Sequence, residues 1–359
     1  MNLELKTEFD LPDSKYAYEF LESYSNSKNR KLVFGNNIYS NSVISHFKVD
    51  AIIDDFNQNS LGLPSITSGD IKPEDLVIVC SGGNILSALQ KVKSSGAKYI
   101  DYFHLQKFSE FPLRGIYFNE GFEEAFKKNL KNFKKVYSLL EDERSREIFI
   151  QLIGFRLTGN TKYLMGFSDL QEKQYFEEFL FLKNLNEVFY DVGAFDGANT
   201  QKFRELCPGF LQINMFEPDP VNYLELQKNL TFNEKIKKHN FGLSDLDENA
   251  MIISSGSTSS VNSTSGDPIK LFKLDNIVSE LQKPTLIKMD IEGGELKAIS
   301  GAEKTIRECK PQLAISVYHK INDFWEIPLK ILEIEPNYKL RFRHYTESIY
   351  ETVAFFTRE

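Results

Sequence analysis

The sequence predicts an α/β protein with two parallel sheets, and three observations support this fold class. Strand and helix patterns alternate along residues 1–112 and again along 186–359, while 113–185 shows helical patterns without a strand. The 359 residues are enough for two domains with separate cores. We therefore divide the chain at these boundaries into an N-terminal Rossmann-like α/β domain, a helical connector and a C-terminal α/β domain.

The N-terminal domain is predicted to begin with a helix near residues 14–27 and to continue with alternating strands and helices. Its strands are expected in KLVF, VDAIIDD, DLVIVCSGG and KYIDYF. Further helices are expected over 40–47 and in NILSALQKVKSSG, where Gly96 supplies the end.

The connector is predicted to contain three helices. In the first, FEEAFKKNLKNFKKVYSLL, aromatic and leucine side chains recur at spacings of three and four. The second, SREIFIQLIGFRLTGN, should end near Gly159. The third should start in SDLQEKQYFEEFLFL, where Ser168 and Gln171 have the spacing of a capping box.

Seven strands are predicted in the C-terminal domain. They are expected at 187–192, 212–217, 237–241, 285–290, 312–317, 339–343 and 351–356. The serine-rich segment SSGSTSSVNSTSG lies between the third and fourth strands. It is either a flexible surface loop or a loop that orders over a binding site when ligand binds.

The carboxyl ends of the first five strands of the C-terminal domain carry mostly polar residues and glycines. This is the sheet edge where ligands bind in parallel α/β folds. These residues are Asp191, Gly193, Asp196 and Gly197 after the first strand, Glu217 and Asp219 after the second, Gly242, Leu243, Ser244 and Asp245 after the third, Lys288, Asp290 and Glu292 after the fourth, and His319 after the fifth. The convergence of five strand ends predicts a ligand site at this edge.

The turn after the first strand has the pattern D-x-G-x-x-D-G, which differs from the G-x-G-x-x-G turn that binds the pyrophosphate of dinucleotides. An acid at Asp191 would repel a phosphate and attract a cation. S-adenosylmethionine carries a sulfonium, an ammonium and no phosphate. Glu217, 24 positions after Gly193, would accept hydrogen bonds from its ribose hydroxyls.

The segments DVGAFDGANT, FEPDP, GLSD, KLDN, IKMDIEGGE and SVYHK resemble, in order and spacing, the FkbM-type methyltransferases over about residues 170–359. The resemblance implies a seven-stranded Rossmann-like fold and S-adenosylmethionine-dependent O-methylation, in many members of sugar or polyketide hydroxyls. It assigns the cofactor turn to Asp191, Gly193, Ala194, Asp196, Gly197 and Thr200, the ribose to Glu217, Pro218 and Asp219, the adenine side to Gly242, Leu243 and Ser244, and a further contact to Asp290. The departure is Phe195, where many relatives have Asn or Gly; its ring would pack on the ligand or on the following helix.

Four residues are candidates for catalysis of methyl transfer. His319 is the first candidate base, because an ordinary histidine is mostly neutral at cellular pH. Asp290 is the second, and its alternative role is to bind a divalent cation with Glu292 or Asp219. Because the acids form no dense motif, we expect no metal site. Lys288 is expected to pair with Asp290 or Glu292.

The N-terminal segments VFGNNIYSNSVISHF and AIIDD resemble the small sugar-nucleotide-binding domains of bacterial sugar O-acyltransferases. That resemblance implies ligand contacts from Asn36, Asn37 and the turn at 81–83, with Asp54 or Asp55 on a ribose. The partner would be a nucleotide-linked sugar or a glycan. The alternative is a structural or dimerising domain, and the sequence leaves the oligomeric state open.

Charge and composition bear on the class of partner and on the cellular compartment. The net charge is −8 and no basic run occurs, so nucleic acid is not expected as a partner. Three widely spaced cysteines and the absence of a leader pattern or an apolar span predict a cytoplasmic protein.

The sequence thus favours an S-adenosylmethionine-dependent O-methyltransferase for a sugar hydroxyl of a surface glycan or its nucleotide-linked precursor. Two alternatives stay open: a nicotinamide-dependent oxidoreductase, and a non-catalytic binding or assembly protein with a degenerate methyltransferase domain.

Overall fold

The N-terminal domain contains a five-stranded parallel sheet in the order β3-β2-β1-β4-β5. In this computed structural model, the residues described are 4–56, 62–182, 185–230, 233–254, 256, 260–262 and 265–358. The strands are β1 (Lys31–Phe34), β2 (Ala51–Ile53), β3 (Ser65–Ile66), β4 (Leu76–Val79) and β5 (Lys98–Asp101). The helices are α1 (Ser14–Asn26), α2 (Ile38–Ile44), α3 (Ile85–Ser95) and α4 (Tyr102–Phe108), with a 3₁₀ turn at Ser68–Asp70.

Two elements of this domain were not predicted from the sequence. Strand β3 has two residues, too few for an alternating pattern to be recognised. Helix α4 begins directly at the end of β5, where the Asp101 carboxylate accepts a hydrogen bond from the backbone N–H of His104 at 2.9 Å. That cap ends the strand inside the segment KYIDYF.

The connector contains three α-helices. They are α5 (Phe122–Lys128), α6 (Leu130–Leu139) and α7 (Glu143–Thr158), followed by 3₁₀ turns at Thr161–Leu164, Gln171–Lys173 and Glu178–Leu180. The second predicted helix is present as α7, the first is divided into α5 and α6, and the third predicted helix is not formed. The first predicted helix is interrupted at Asn129, whose side-chain amide donates to the carbonyl of Ala125. The third is wrong: Tyr175 and Phe181 have positive φ angles of 69° and 46°, which no α-helix accommodates.

All seven predicted strands of the C-terminal domain are present in one sheet with the order β15-β16-β14-β13-β6-β7-β8. They are β6 (Val188–Val192), β7 (Gln212–Phe216), β8 (Ile236–His239), β13 (Leu286–Met289), β14 (Gln312–Ser316), β15 (Lys339–His344) and β16 (Thr352–Thr357). Strand β16 is antiparallel to both of its neighbours, and the other pairs are parallel. The strand order reverses between β6 and β13, which is where ligands bind in such sheets.

The C-terminal domain has a second sheet of four strands, formed by residues within and on both sides of the serine-rich segment. It has the order β11-β10-β12-β9 and consists of β9 (Gly242–Leu243), β10 (Glu248–Ile253), β11 (Ser260–Asn262) and β12 (Asp267–Phe272). Part of the serine-rich segment lies outside the described residues, but 260–262 in its middle form β11, which pairs with β10, and β10 and β12 flank the segment. The helices of the domain are α8 (Ala198–Leu206), α9 (Pro220–Asn229), α10 (Leu274–Ile277), α11 (Glu295–Gly301), α12 (Glu303–Cys309) and α13 (Asp323–Ile334), with a 3₁₀ turn at Val278–Glu280.

The three regions share one apolar core. Val33 of the first sheet, Phe149 of the connector and Phe342 of the second sheet are all fully buried in the same cluster. Among the described residues, no helix is long and apolar enough to cross a membrane.

The N-terminal domain contacts the C-terminal domain through the first turns of α2 and α3. The Glu347 carboxylate accepts hydrogen bonds from the backbone N–H and the hydroxyl of Ser87, at 2.7 and 2.5 Å. The hydroxyls of Tyr39 and Tyr350 are 2.9 Å apart. The contact therefore lies at the carboxyl ends of β1 and β4.

The residues expected to bind a ligand in this domain hold its own structure. Asn37 caps α2, and its amide donates to the carbonyl of Cys80 at 2.7 Å. Asp55 accepts from the backbone N–H of Ser68 and pairs with Lys91 at 2.6 Å. A ligand for this domain stays a prediction.

Candidate active site

A cavity of about 400 Å³ opens at the carboxyl ends of the central strands of the large sheet. Its volume lies within the range of roughly 300–1,000 Å³ found for small-molecule sites. Gly193 and Phe195 follow β6, Glu217 follows β7, and Asp290 and Glu292 follow β13; all five line it. Gly242 after the third predicted strand also lines the cavity, so four of the five predicted strand ends meet here, whereas His319 after the fifth does not line it.

The turn after β6 needs glycine at its first position. Gly193 has a φ of +76°, and a Cβ there would lie 1.8 Å from the carbonyl oxygen of Asp290. Phe195 also adopts a left-handed conformation, with a φ of +48°, and its side chain is partly exposed and lines the cavity. The ring thus lies on the ligand side of the turn.

Glu217 connects the turn to the end of β7. One carboxylate oxygen accepts from the backbone N–H of Phe195 at 2.8 Å and the other from that of Asp219 at 2.9 Å. Burial raises the pKa of Glu217, although these two hydrogen bonds oppose the rise. The carboxylate is held rigidly at the cavity wall, and each oxygen keeps a second lone pair for a ligand hydroxyl.

Asp191 does not face the cavity, contrary to the expectation from the sequence. It is completely buried, accepts from the Thr200 hydroxyl at 2.8 Å and pairs with the Lys288 ammonium at 3.2 Å. Lys288 also donates to the carbonyl of Gly193 at 2.5 Å. The expected pairing of Lys288 with Asp290 or Glu292 is therefore corrected: it neutralises Asp191, because the two residues are register partners on β13 and β6.

The other predicted cofactor residues fall into two groups. Those that line the cavity besides Gly193, Glu217 and Asp290 are Pro218, Gly242, Leu243 and Ser244. Those that do not are Ala194, Asp196, Gly197, Thr200 and Asp219. Asp219 is buried and caps α9, and Asp196 accepts from the backbone N–H of Ala198. These acids shape the turns behind the site.

The small sheet forms one wall of the cavity. Ile252 of β10, Val261 of β11 and Leu271 of β12 line it, beside Leu243 of β9. Sequence patterns did not reveal these three residues: β11 lies within the segment expected to be a loop, and no strand was expected at β10 or β12. They give the cavity an apolar side.

His319 lies behind the acids of β13 and cannot be the resting base. Burial alone would lower its pKa, but Glu295, Asp290 and Glu292 together raise the pKa of His319 to about 10. Its Nδ1 is 3.0 Å from a Glu295 oxygen, and its Nε2 is 3.4 Å from Asp290 and 3.6 Å from Glu292. His319 is therefore protonated near neutral pH when no other cation is present.

Asp290 and Glu292 are the acids of this group that reach the cavity. The Tyr175 hydroxyl donates to one Asp290 oxygen at 2.6 Å. Burial raises the pKa of Glu292 to about 7, although nearby His319 opposes the rise. Glu292 also has a left-handed backbone, with a φ of +53°, which is uncommon for a residue other than glycine.

Tyr175 and Glu295 are the functional candidates that sequence reasoning missed. Tyr175 is 115 positions from Asp290, so no local pattern connects them. Glu295 had a detectable signal: it opens α11 after two glycines, and its carboxylate accepts from the backbone N–H of Ile291 at 2.9 Å.

The comparison with known proteins agrees with this geometry. The family model described as methyltransferase FkbM domain matches residues 191–346. The crystal structure of the methyltransferase FkbM from Methylobacillus flagellatus KT is similar over 97% of this chain and 94% of that chain, with a TM-score of 0.71 and 24% identity. At that identity the likeness shows a common fold, which here includes the N-terminal domain and the connector.

Other solved structures are similar over a smaller part. A chain of the fibrillarin/Nop5p complex matches 49% of this chain and 72% of its own length, with a TM-score of 0.34 and 14% identity. Precorrin-6y C5,15-methyltransferase from Geobacter metallireducens GS-15 matches 54% and 95%, with a TM-score of 0.32 and 12% identity. A search of curated proteins gave no significant match.

These findings confirm the resemblance stated for the C-terminal domain, while that of the N-terminal domain to sugar-nucleotide-binding domains stays a prediction. Residues 191–346 are thus similar in sequence to the methyltransferase FkbM domain, and the chain as a whole is similar in fold to the methyltransferase FkbM structure.

Proposed function

We propose that the protein is an S-adenosylmethionine-dependent O-methyltransferase that acts on a sugar hydroxyl of a glycan or of its nucleotide-linked precursor. The observation that carries the proposal is a single cavity that the glycine turn, Glu217, Asp290 and Glu292 all line. A nucleoside with a cationic tail matches that arrangement.

The cofactor would lie across the ends of β6 and β7. Glu217 would accept hydrogen bonds from the two ribose hydroxyls, each worth roughly 1.5–3 kcal/mol when the acceptor is charged. The adenine would pack between Leu243 and the apolar wall of Ile252 and Leu271. The sulfonium would then point towards the carboxylates that follow β13.

Methyl transfer needs a hydroxyl oxygen aligned behind the sulfonium methyl. The oxygen–carbon bond forms while the carbon–sulfur bond breaks, which leaves the neutral thioether S-adenosylhomocysteine. The hydroxyl proton would pass to the carboxylate of Asp290 or Glu292, and a pKa of about 7 suits Glu292 to that task. Alignment alone can account for several kcal/mol of the barrier.

The choice of a sugar as acceptor rests on the family resemblance and on the chemistry of the cavity. Glu248, Asp290 and Glu292 line it and are hydrogen-bond acceptors for vicinal hydroxyls. Lys297 and Lys320 are also at the wall and could contact a phosphate of a nucleotide-linked sugar.

Calorimetric titration tests the cofactor. S-adenosylhomocysteine should bind with one-to-one stoichiometry, and Glu217→Gln should weaken it by about tenfold or more, since one charged acceptor is lost. Glu225→Gln on α9, an exposed acid, is the matched control. Binding of NAD without S-adenosylhomocysteine would contradict the proposal and favour an oxidoreductase.

A radioactive methyl donor tests the acceptor. Incubation with a panel of nucleotide-linked sugars and glycans should label at least one sugar in a manner that depends on Glu217. Cofactor binding without label on any sugar of the panel would count against the sugar and in favour of a different acceptor or a binding protein.

A further inference from the structure

The His319 imidazole presents an unsatisfied nitrogen to two carboxylates. The side chain of His319 is fully buried, and its Nε2 has no hydrogen-bond partner among the described residues. The atoms nearest to that nitrogen include one oxygen of Asp290 at 3.4 Å and one of Glu292 at 3.6 Å. The Asp290 oxygen also lacks a hydrogen-bond partner within the described part of the chain.

The spacing of these three groups suits a shared cation. Ligand atoms about 2.1 Å from one metal ion are separated by roughly 3.0–3.4 Å in octahedral or tetrahedral geometry, as simple trigonometry on the usual bond lengths gives. The two measured distances from Nε2 are close to that range, and the three ligand atoms lie within 4.8 Å of one another.

Each ligand group is also oriented from behind. Glu295, itself fully buried, approaches Nδ1 of His319 at 3.0 Å and so directs Nε2 at the two acids. The Tyr175 hydroxyl occupies the other oxygen of Asp290. Carboxylate–histidine pairs of this kind fix the ring orientation of metal-binding histidines.

The local charge balance favours an added cation. Asp290, Glu292, Glu295 and Asp323 surround a single imidazole. The Lys320 ammonium is directed to the carbonyl of Gly293. Replacement of one proton by a divalent ion would increase the positive charge at the centre of four acids.

We propose that Asp290, Glu292 and His319 form a binding site for one divalent first-row transition-metal cation, with Glu295 as a positioning residue. One imidazole and two carboxylates combine the preferences of such ions, whereas Mg²⁺ favours oxygen ligands alone. Mn²⁺ is the probe that fits this mixed set.

The cation would leave coordination positions open towards the cavity, because Asp290 and Glu292 line it. There it would bind an acceptor oxygen and lower the pKa of its proton. This role rests on the proposed function, whereas binding of the cation does not. With the cation held through one oxygen of each acid, the other oxygen of Glu292 would receive the hydroxyl proton, as in the proposed function.

Electron paramagnetic resonance on the full chain tests the site. Mn²⁺ is titrated into protein that has been freed of metal with EDTA, and the loss of the free-ion signal measures binding. One ion per chain is expected. Glu295→Gln should weaken binding by roughly 10–100-fold, and His319→Ala or Glu292→Gln by more. His46→Ala and Glu280→Gln, both exposed and remote from this group in sequence, should bind as the wild type does.

Circular dichroism checks that each variant is folded, and if His319→Ala is not, Glu292→Gln decides. The proposal is overturned if Mn²⁺ does not bind stoichiometrically, or if a folded Glu292→Gln protein binds it as tightly as the wild type. S-adenosylhomocysteine titration of the metal-free protein keeps this outcome separate from that of the proposed function.

Discussion

At the scale of single residues, the acid beside the glycine turn, Asp191, is buried inside the domain and does not face the cavity. Asp191 and Lys288 are both completely or almost completely buried and lie 3.2 Å apart. The acids that line the cavity are Glu217, Glu248, Asp290 and Glu292 instead. Under the proposed function these acids would select a cationic nucleoside, while Asp191 fixes the turn through Lys288 and Thr200.

A double-mutant cycle on Asp191 and Lys288 tests this assignment. Lys288→Met should lower the free energy of unfolding by about 3–5 kcal/mol, because it leaves a buried carboxylate unpaired. Lys288→Met with Asp191→Asn should recover much of that loss in urea unfolding. A loss in the double variant equal to the sum of the losses in Lys288→Met and Asp191→Asn would show that the pair is not coupled.

Phe195 allows a second test, in which stability and ligand affinity should respond differently. Phe195→Gly relieves a left-handed conformation that costs roughly 1 kcal/mol, but adds a similar entropy of the unfolded chain. We expect an almost unchanged unfolding free energy and an affinity for S-adenosylhomocysteine reduced about fivefold, since an aromatic contact is lost. An unchanged affinity would mean that the ring does not contact the cofactor.

At the scale of elements, α7 is held against the large sheet by a charged cap. Asp142 caps α7 and pairs with Arg343 of β15 at 2.9 Å. Burial would raise the pKa of Asp142, but hydrogen bonds from Arg343 and Ser145 lower it to about 2.

Asp142→Asn should lower the free energy of unfolding at pH 7 by about 1–2 kcal/mol, mostly through the weakened cap, because the ion pair is partly exposed. A carboxyl with a lowered pKa stabilises the fold above its ordinary pKa near 4 and loses that contribution as the pH falls towards 2. The difference between wild type and variant should therefore shrink between pH 4 and 2. A constant difference over that range would contradict the assignment.

The elements also show what sequence patterns can and cannot establish. Apolar runs bounded by turns located all seven strands, and parallel strand ends meet at one edge, so Gly193, Glu217 and Asp290 could be grouped. Pairs such as Asp191 with Lys288 could not be predicted in this way, because they depend on which strands are neighbours in the sheet. The predicted third helix of the connector failed because Tyr175 and Leu180 are buried in the C-terminal core, and this packing overrides a capping pattern.

At the scale of the whole molecule, the carboxyl edge of the N-terminal sheet contacts the C-terminal domain of the same chain. Ligands bind at this edge in many parallel α/β folds. The first turn of α3, whose backbone N–H groups favour an anion as at any helix N-terminus, here donates to the carboxylate of Glu347. Tyr39 adds a contact to Tyr350 beside it. These contacts favour the structural alternative for the N-terminal domain, with the loop at 345–350 as the element that it supports.

That loop is close to the acidic group around His319 in the C-terminal domain, because Glu351 accepts from the hydroxyl of Tyr318, the residue next to His319. Glu347→Ala removes the acceptor for Ser87 and should lower the free energy of unfolding by about 1 kcal/mol. It should also increase amide hydrogen exchange in the first turn of α3 and in the 345–350 loop together. Glu333→Gln, an exposed acid of α13, is the control. Faster exchange in α3 alone would indicate a local cap without coupling between the two domains. Unchanged exchange in both segments would show that the contact stabilises neither of them.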